Sequence, residues 1–247
     1  MKYQLILALS VGFWSSLAVA AGEQVKLRAD MWCPYNCSPT DKDRPGFLVE
    51  VAQAAFKDYQ VDYQLQPWSR ALHDAERGVI DGVIGASEGE LKDGLYPKKA
   101  LGMQRTCVYT SAKSSLVYSS AKDLEKSKVA VILDYVYADA INDFIKTHKS
   151  NIDAIGGDNA LELNIKKVEA GRADALVEDQ NVMNFQMQKL GKNLRLAGCE
   201  KPNGLYLAFG SKGPKSKKLL EILDQWTIKA EKSGELSALK KKYSMAD

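Results

Sequence analysis

Trp68, Arg70 and Ser87 lie in one stretch, LQPWSRALHDAERGVIDGVIGAS (Leu65 to Ser87), that brings together an aromatic surface, a fixed cation and a hydroxyl. Ligands of open α/β sheets bind beyond the carboxyl ends of strands. The stretch predicts strand, turn, helix, strand, which puts these three side chains where a polar molecule would be held. A cation at a helix start opposes the helix dipole, so Arg70 needs an anionic partner, either a ligand or a nearby Asp or Glu. A second set follows the apolar run Ala173 to Val177: Glu178, then Asp179, which either meets a ligand or caps the next helix. Asp30 ends the first expected strand near the same edge, placed to orient Arg70 or to touch a ligand. Trp32 and Tyr35 add aromatic surface, and a Trp with its N–H suits a half-open pocket. Lys92 is a further cation in the loop after Ser87. Catalysis has less to draw on: His73 and His148 fall on expected helices, and no nucleophile–base pairing is visible.

Cys33, Cys37, Cys107 and Cys199 are the four cysteines. An even number in an exported chain favours disulfides. Cys33 and Cys37 are close enough to pair locally, which leaves Cys107 with Cys199. A zinc site would need more ligands than two histidines at unsuitable spacing. No metal or other cofactor is expected.

These residues need elements to position them. The first 20 residues read as a signal peptide, with Lys2, an apolar middle from Leu5 to Val19 and an Ala18-Val19-Ala20 cleavage site. The remainder, 45% hydrophobic and 26% charged over the whole chain, is ordinary globular composition. The net charge of +3 is small, and Lys240-Lys241-Lys242 reads as a solvated helix end, so nucleic acid is not an expected partner. Val25 to Met31 alternates as a strand, Gly46 to Lys57 repeats at three and four as a helix, and Val61 to Leu65 alternates again. Val79 to Ile84 is a buried-strand run, and Met103 to Thr110 reads as one further strand. The pattern restarts with the strand Val129 to Leu133 and a helix capped by Asp134 running to His148. The strand Ile152 to Ile155 precedes an Asn159-x-x-Glu162 capping box, and Leu205 to Phe209 is a late strand. Helix follows from Lys217 to Tyr243 with a break at Ser233-Gly234. Alternating strands and helices argue for parallel sheets with helical crossovers.

A short internal repeat supports two such units. Glu76-x-Gly78-x-x-Asp81-Gly82-Val83-Ile84 matches Glu169-x-Gly171-x-x-Asp174-Ala175-Leu176-Val177. Each copy ends a helix with Gly and enters an apolar strand, which predicts two lobes of similar topology facing each other across a cleft, where ligand sites prefer to sit.

Five segments then carry a resemblance: GFLVEVAQAAF, ERGVIDGVIGAS, EAGRADALVED, NGLYLAFGSKGP and SGELSALKKKYSM. In this order after a signal peptide, the chain resembles the type 2 periplasmic solute-binding proteins, in particular the polar amino-acid-binding group (bacterial extracellular solute-binding protein family 3). The resemblance implies an α/β fold of two lobes, each a mostly parallel sheet with flanking helices, joined by a two-strand hinge. The expected division is 1–20 signal peptide, 21–110 with 205–247 as the first lobe, and 111–204 as the second. It implies a monomeric, non-enzymatic protein of the periplasm that delivers a small polar solute to an ABC importer, the solute being amino-acid-like or another zwitterion or anion. The family's Ser-x-Thr-x-x-Arg segment corresponds to Ser87-Glu88-Gly89-Glu90-Leu91-Lys92, so Lys92 stands where an arginine clamps the α-carboxylate. Asp179 stands where an Asp receives the α-ammonium, and Trp32, Tyr35 and Trp68 are the candidates for stacking on the solute.

Overall fold

The computed structural model describes residues 22–245, so the expected signal peptide lies outside the described residues. The chain runs β1 (Gln24–Ala29), α1 (Phe47–Ala55), β2 (Gln60–Leu65), α2 (Trp68–Glu76), β3 (Gly82–Ala86) and β4 (Gly102–Gln104). It continues through β5 (Thr106–Thr110), β6 (Val129–Ile132), α3 (Asp139–Thr147), β7 (Ile152–Ile155), α4 (Ala160–Glu169), β8 (Ala175–Asp179), α5 (Gln180–Leu190) and β9 (Arg195–Cys199). It ends with β10 (Asn203–Phe209), α6 (Ser216–Ser233) and α7 (Glu235–Lys242).

Two five-stranded sheets result, ordered β2-β1-β3-β10-β4 and β7-β6-β8-β5-β9. In each, three strands joined by helical crossovers run parallel, one strand (β10 or β5) runs against them, and an edge strand (β4 or β9) pairs antiparallel with that one. The sheets are therefore mixed, because the chain that crosses between lobes enters each sheet against the direction of the parallel strands. The apolar positions that suggested these elements form the cores. Leu27, Phe47, Leu48, Phe209 and Leu219 pack in the first lobe. Val131, Phe144 and Val177 pack on one side of the second sheet, and Ile165, Leu176 and Met183 on the other.

Several expected boundaries shift. Met103 to Thr110 is two strands in different sheets, separated by Arg105 alone, so β5 belongs to the second lobe and the crossing falls at Arg105 rather than after residue 110. The return crossing lies between Cys199 and Asn203. The two crossings run side by side: Cys107 is opposite Cys199 in the second sheet, and Asn203 opposite Gln104 in the first. Val79 is 56% exposed in a turn, and β3 begins only at Gly82. Asp134 caps no helix. It has φ of 64° in a loop, and α3 starts at Asp139 because Tyr137 first turns inward, its hydroxyl accepting the Ile132 N–H at 2.8 Å. The Asn159-x-x-Glu162 box is not closed, since no side chain caps α4 and Glu162 instead pairs with Lys166 at 2.6 Å. Both disulfides form as read, Cys33–Cys37 and Cys107–Cys199.

Candidate functional site

β1 ends at Ala29 and hands the chain to a tight turn that carries Asp30, Trp32 and Tyr35. The Trp32 N–H donates to the Asn36 carbonyl at 2.8 Å, the Asn36 amide donates to the Asp30 carbonyl at 2.6 Å, and Cys33–Cys37 closes the turn. Gly46 lies against this turn with φ of 121°, and a Cβ there would stand 2.5 Å from the Tyr35 carbonyl oxygen, so only glycine lets α1 start so close. The turn reaches across to the second lobe at two adjacent residues of β8.

Tyr35 is fully buried and its hydroxyl lies 3.1 Å from Asp179 Oδ1 while accepting from the Asn181 amide at 2.9 Å. Asp179 is engaged by the protein through both oxygens. Its Oδ1 also accepts the N–H groups of Asn181 and Val182, capping α5, and its Oδ2 accepts the Arg105 N–H at the crossing at 2.7 Å. Burial pushes its carboxyl above the ordinary range, and these N–H donors pull back against that. The cap that the sequence offered for Asp179 is formed, and the Tyr35 hydroxyl makes an interlobe contact.

Glu178, one residue earlier, points the other way, as neighbours on a strand must. It is 1% exposed and lines a cavity of about 420 Å³ between the lobes. Its Oε1 accepts the Trp32 indole N–H at 3.1 Å and the Asp179 N–H at 2.8 Å, while its buried Oε2 has no hydrogen-bond partner. Burial raises its pKa to about 8, with Asp179 and Asp30 adding like-charge repulsion. Asp30 lines the same cavity and is raised to about 6 by burial, although the Tyr135 hydroxyl bonds to it. Asp134 and Asp158 complete the carboxylates around the space, and Trp32, Trp68 and Tyr135 supply its aromatic walls.

A smaller recess of about 30 Å³ adjoins it, lined by Ser87, Glu90 and Gln104 beside the shared Trp32 and Trp68. Glu90 is held in place here: Oε2 accepts the Ser87 N–H at 2.9 Å and Oε1 the Trp68 indole N–H at 2.6 Å. The Ser87 hydroxyl is engaged by the Gln104 amide.

Of the sequence candidates, Asp30, Trp32, Trp68 and Ser87 come together around the cleft, while Arg70 and Lys92 do not reach it. The Arg70 side chain is 73% exposed on the outward face of α2, 3.7 Å from Asp74, which is the anionic partner its position needed. Lys92 is exposed in the loop after β3, its N–H directed at Glu76. The cations expected to face an anionic group are thus absent, and among the described residues no Lys, Arg or His lines either space. Glu90 and Tyr135 were not among the candidates, and Glu178 was named beside Asp179 without a ligand role. The Ser87-x-x-Glu90 spacing of a capping box was the available signal for Glu90. The helix-capping potential of Asp179 was the signal that left Glu178 as the carboxylate facing the cleft.

No family model matches this chain. Over 157 residues it is 29% identical to the probable amino-acid-binding protein YxeM of Bacillus subtilis (strain 168), a match that takes in 62% of this chain and spans 58% of that relative's length. Among solved structures it is similar to an ancestral amino acid-binding protein, a precursor of cyclohexadienyl dehydratase, with TM-score 0.70 and 21% identity over 89% of this chain and 94% of the other. It is also similar to the substrate binding protein of an amino acid ABC transporter, with TM-score 0.70 and 18% identity over 89% and 98% of the two chains. At these identities the likeness establishes a shared fold.

Proposed function

We propose that this chain, built on the two-lobed fold of the periplasmic binding proteins, is an exported solute-binding protein that captures a small polar solute between its lobes and passes it to an ABC importer. The observation that carries the reading is the interlobe cavity, walled by Asp30, Trp32 and Trp68 from one lobe and by Tyr135, Asp158 and Glu178 from the other. A solute touching both walls stabilises the closed arrangement, which is how hinged lobes couple capture to a shape that a membrane partner can read. The relatives named above, an amino-acid-binding protein and the substrate binding protein of an amino acid ABC transporter, support a small polar solute and an ABC transporter as partner, and the signal-peptide pattern of the first 20 residues supports the periplasm as its place of work.

Differential scanning fluorimetry against amino acids, short peptides, amines and organic acids tests the proposal. A solute at 100 times its Kd adds about 2.7 kcal/mol to stability, and silence across all four classes would remove its support.

A second reading has one observation in its favour. A buried carboxyl held protonated to about pH 8 inside a cavity is suited to general acid catalysis, and one structural relative is a dehydratase precursor. An acidic substrate of that kind would face Asp30, Asp134, Asp158 and Glu178 with no lining cation, so capture is the better supported function. Turnover of prephenate-like acids, followed by absorbance, would reverse that preference.

A further inference from the structure

We infer that the solute of this cleft is an organic cation without a carboxylate, an amine or guanidine whose charged head meets Glu178 between the faces of Trp32, Trp68 and Tyr135. The inference rests on reading the cleft as a solute site and narrows what that site accepts.

Three independent features converge on it. The first is the acidic wall of the cavity, Asp30, Asp134, Asp158 and Glu178, the last with its buried Oε2 lacking a hydrogen-bond partner. A cationic head beside this wall favours the ionised form of Glu178, against the burial that raises its pKa to about 8, and an ionised carboxylate accepts only, so the matching group is a donor and best a charged one. The second is the fate of the donors a solute carboxylate would use. The Ser87 N–H, just past the end of β3, and the Trp68 indole N–H both donate to Glu90. The chain's own Glu90 carboxylate already takes both donors, and among the described residues no lining Lys, Arg or His supplies a substitute. The third is the aromatic walls. The indole N–H groups of Trp32 and Trp68 are both spent on carboxylates, so what these two lining residues offer a solute is aromatic surface, which suits a cation. A bare metal ion is the weaker occupant: among the described residues no three His, Cys, Asp or Glu side chains are grouped to hold one, and about 420 Å³ with aromatic walls suits an organic molecule.

Matched pairs that differ only in the α-carboxylate provide the test. Arginine and agmatine, lysine and cadaverine, together with glutamate, glutamine and glycylglycine, are titrated into the full exported chain by calorimetry. Agmatine or cadaverine should bind at least tenfold tighter than its amino acid, and glutamate should give no heat. Glu178→Gln should weaken the amine at least tenfold with the lobes still folded. Glu90→Ala, or Glu90→Gln if the first variant folds poorly, frees the Ser87 and Trp68 donors and should shift preference toward arginine or lysine by about tenfold. Binding of glutamate, glutamine or glycylglycine with both amines silent, or arginine tighter than agmatine, would overturn the charge assignment and leave the solute-binding reading intact. Silence of every compound would overturn both.

Discussion

In the first lobe Asp81 accepts the Lys26 N–H at 2.8 Å, tying the entry of β3 to β1; in the second, Asp174 accepts the Lys128 N–H at 2.7 Å and ties β8 to β6. The glycines three residues before them, Gly78 and Gly171, both take left-handed backbone, with φ of 74° and 67°. The short sequence repeat is thus one mechanical joint built twice. Past the joint the lobes part. β3 ends at Ala86, and the N–H of the next residue, Ser87, is already satisfied by Glu90, whereas β8 ends in two carboxylates, one capping α5 and one lining the cavity. The shared joint explains the architecture, and the chemistry lies in how each strand end disposes of its polar groups.

The largest expected effect is at Glu178. Its folded-state pKa of about 8 lies above its ordinary 4.5, so the fold holds its proton longer than the unfolded chain does. The associated stability is fully present below about pH 4.5 and is lost as pH rises through about 8, on the order of 5 kcal/mol. Asp30, Asp179, Tyr135 and Tyr137 face the same carboxyl. Urea melts of the empty protein should show that decline, and Glu178→Gln should flatten most of it. An unchanged slope in the variant would move the burden to Asp30 or Asp179.

Asp179→Ala comes next, at about 3 kcal/mol, because it strips a helix cap and leaves the Arg105 N–H and Tyr35 hydroxyl short of their partner. A shift in urea midpoint well below that would mean the lobes are not joined through this residue. The two joints are compared by Asp81→Ala and Asp174→Ala. About 2 kcal/mol is expected for the buried Asp81, which also has Lys215 at 3.3 Å, and about 1 kcal/mol for the exposed Asp174. Equal losses would argue that burial and Lys215 contribute nothing. Arg70→Ala and Lys92→Ala should each stay within about 0.5 kcal/mol of the parent and leave solute affinity unchanged; a tenfold loss of affinity in either would restore the anion-facing site.

The period-two and period-three-to-four patterns reported the elements well, because burial on one face is a local property of sequence. The pairing of Cys107 with Cys199 and the break before Glu235 were legible for similar reasons. Met103 to Thr110 was not, since nothing in an apolar run says that a single residue, Arg105, carries it from one sheet to another. At the site, the strand ends were legible but their occupancy was not. Asp179 and Glu178 are adjacent and alike in charge, and only the direction of a side chain separates a cap from a wall. Arg70 needed an anion, and Asp74, one helical turn on, met that need without a ligand.

Trp32 and Tyr35 hang from one five-residue turn and grip neighbouring positions of β8 in the other lobe. The sulfur bridge that closes this turn makes lobe alignment depend on covalent history. While Cys33 and Cys37 are thiols, the two anchors are tethered by a chain free to sample many shapes. A Cys33→Ser, Cys37→Ser chain should keep both folded lobes by circular dichroism and yet bind its solute several-fold more weakly.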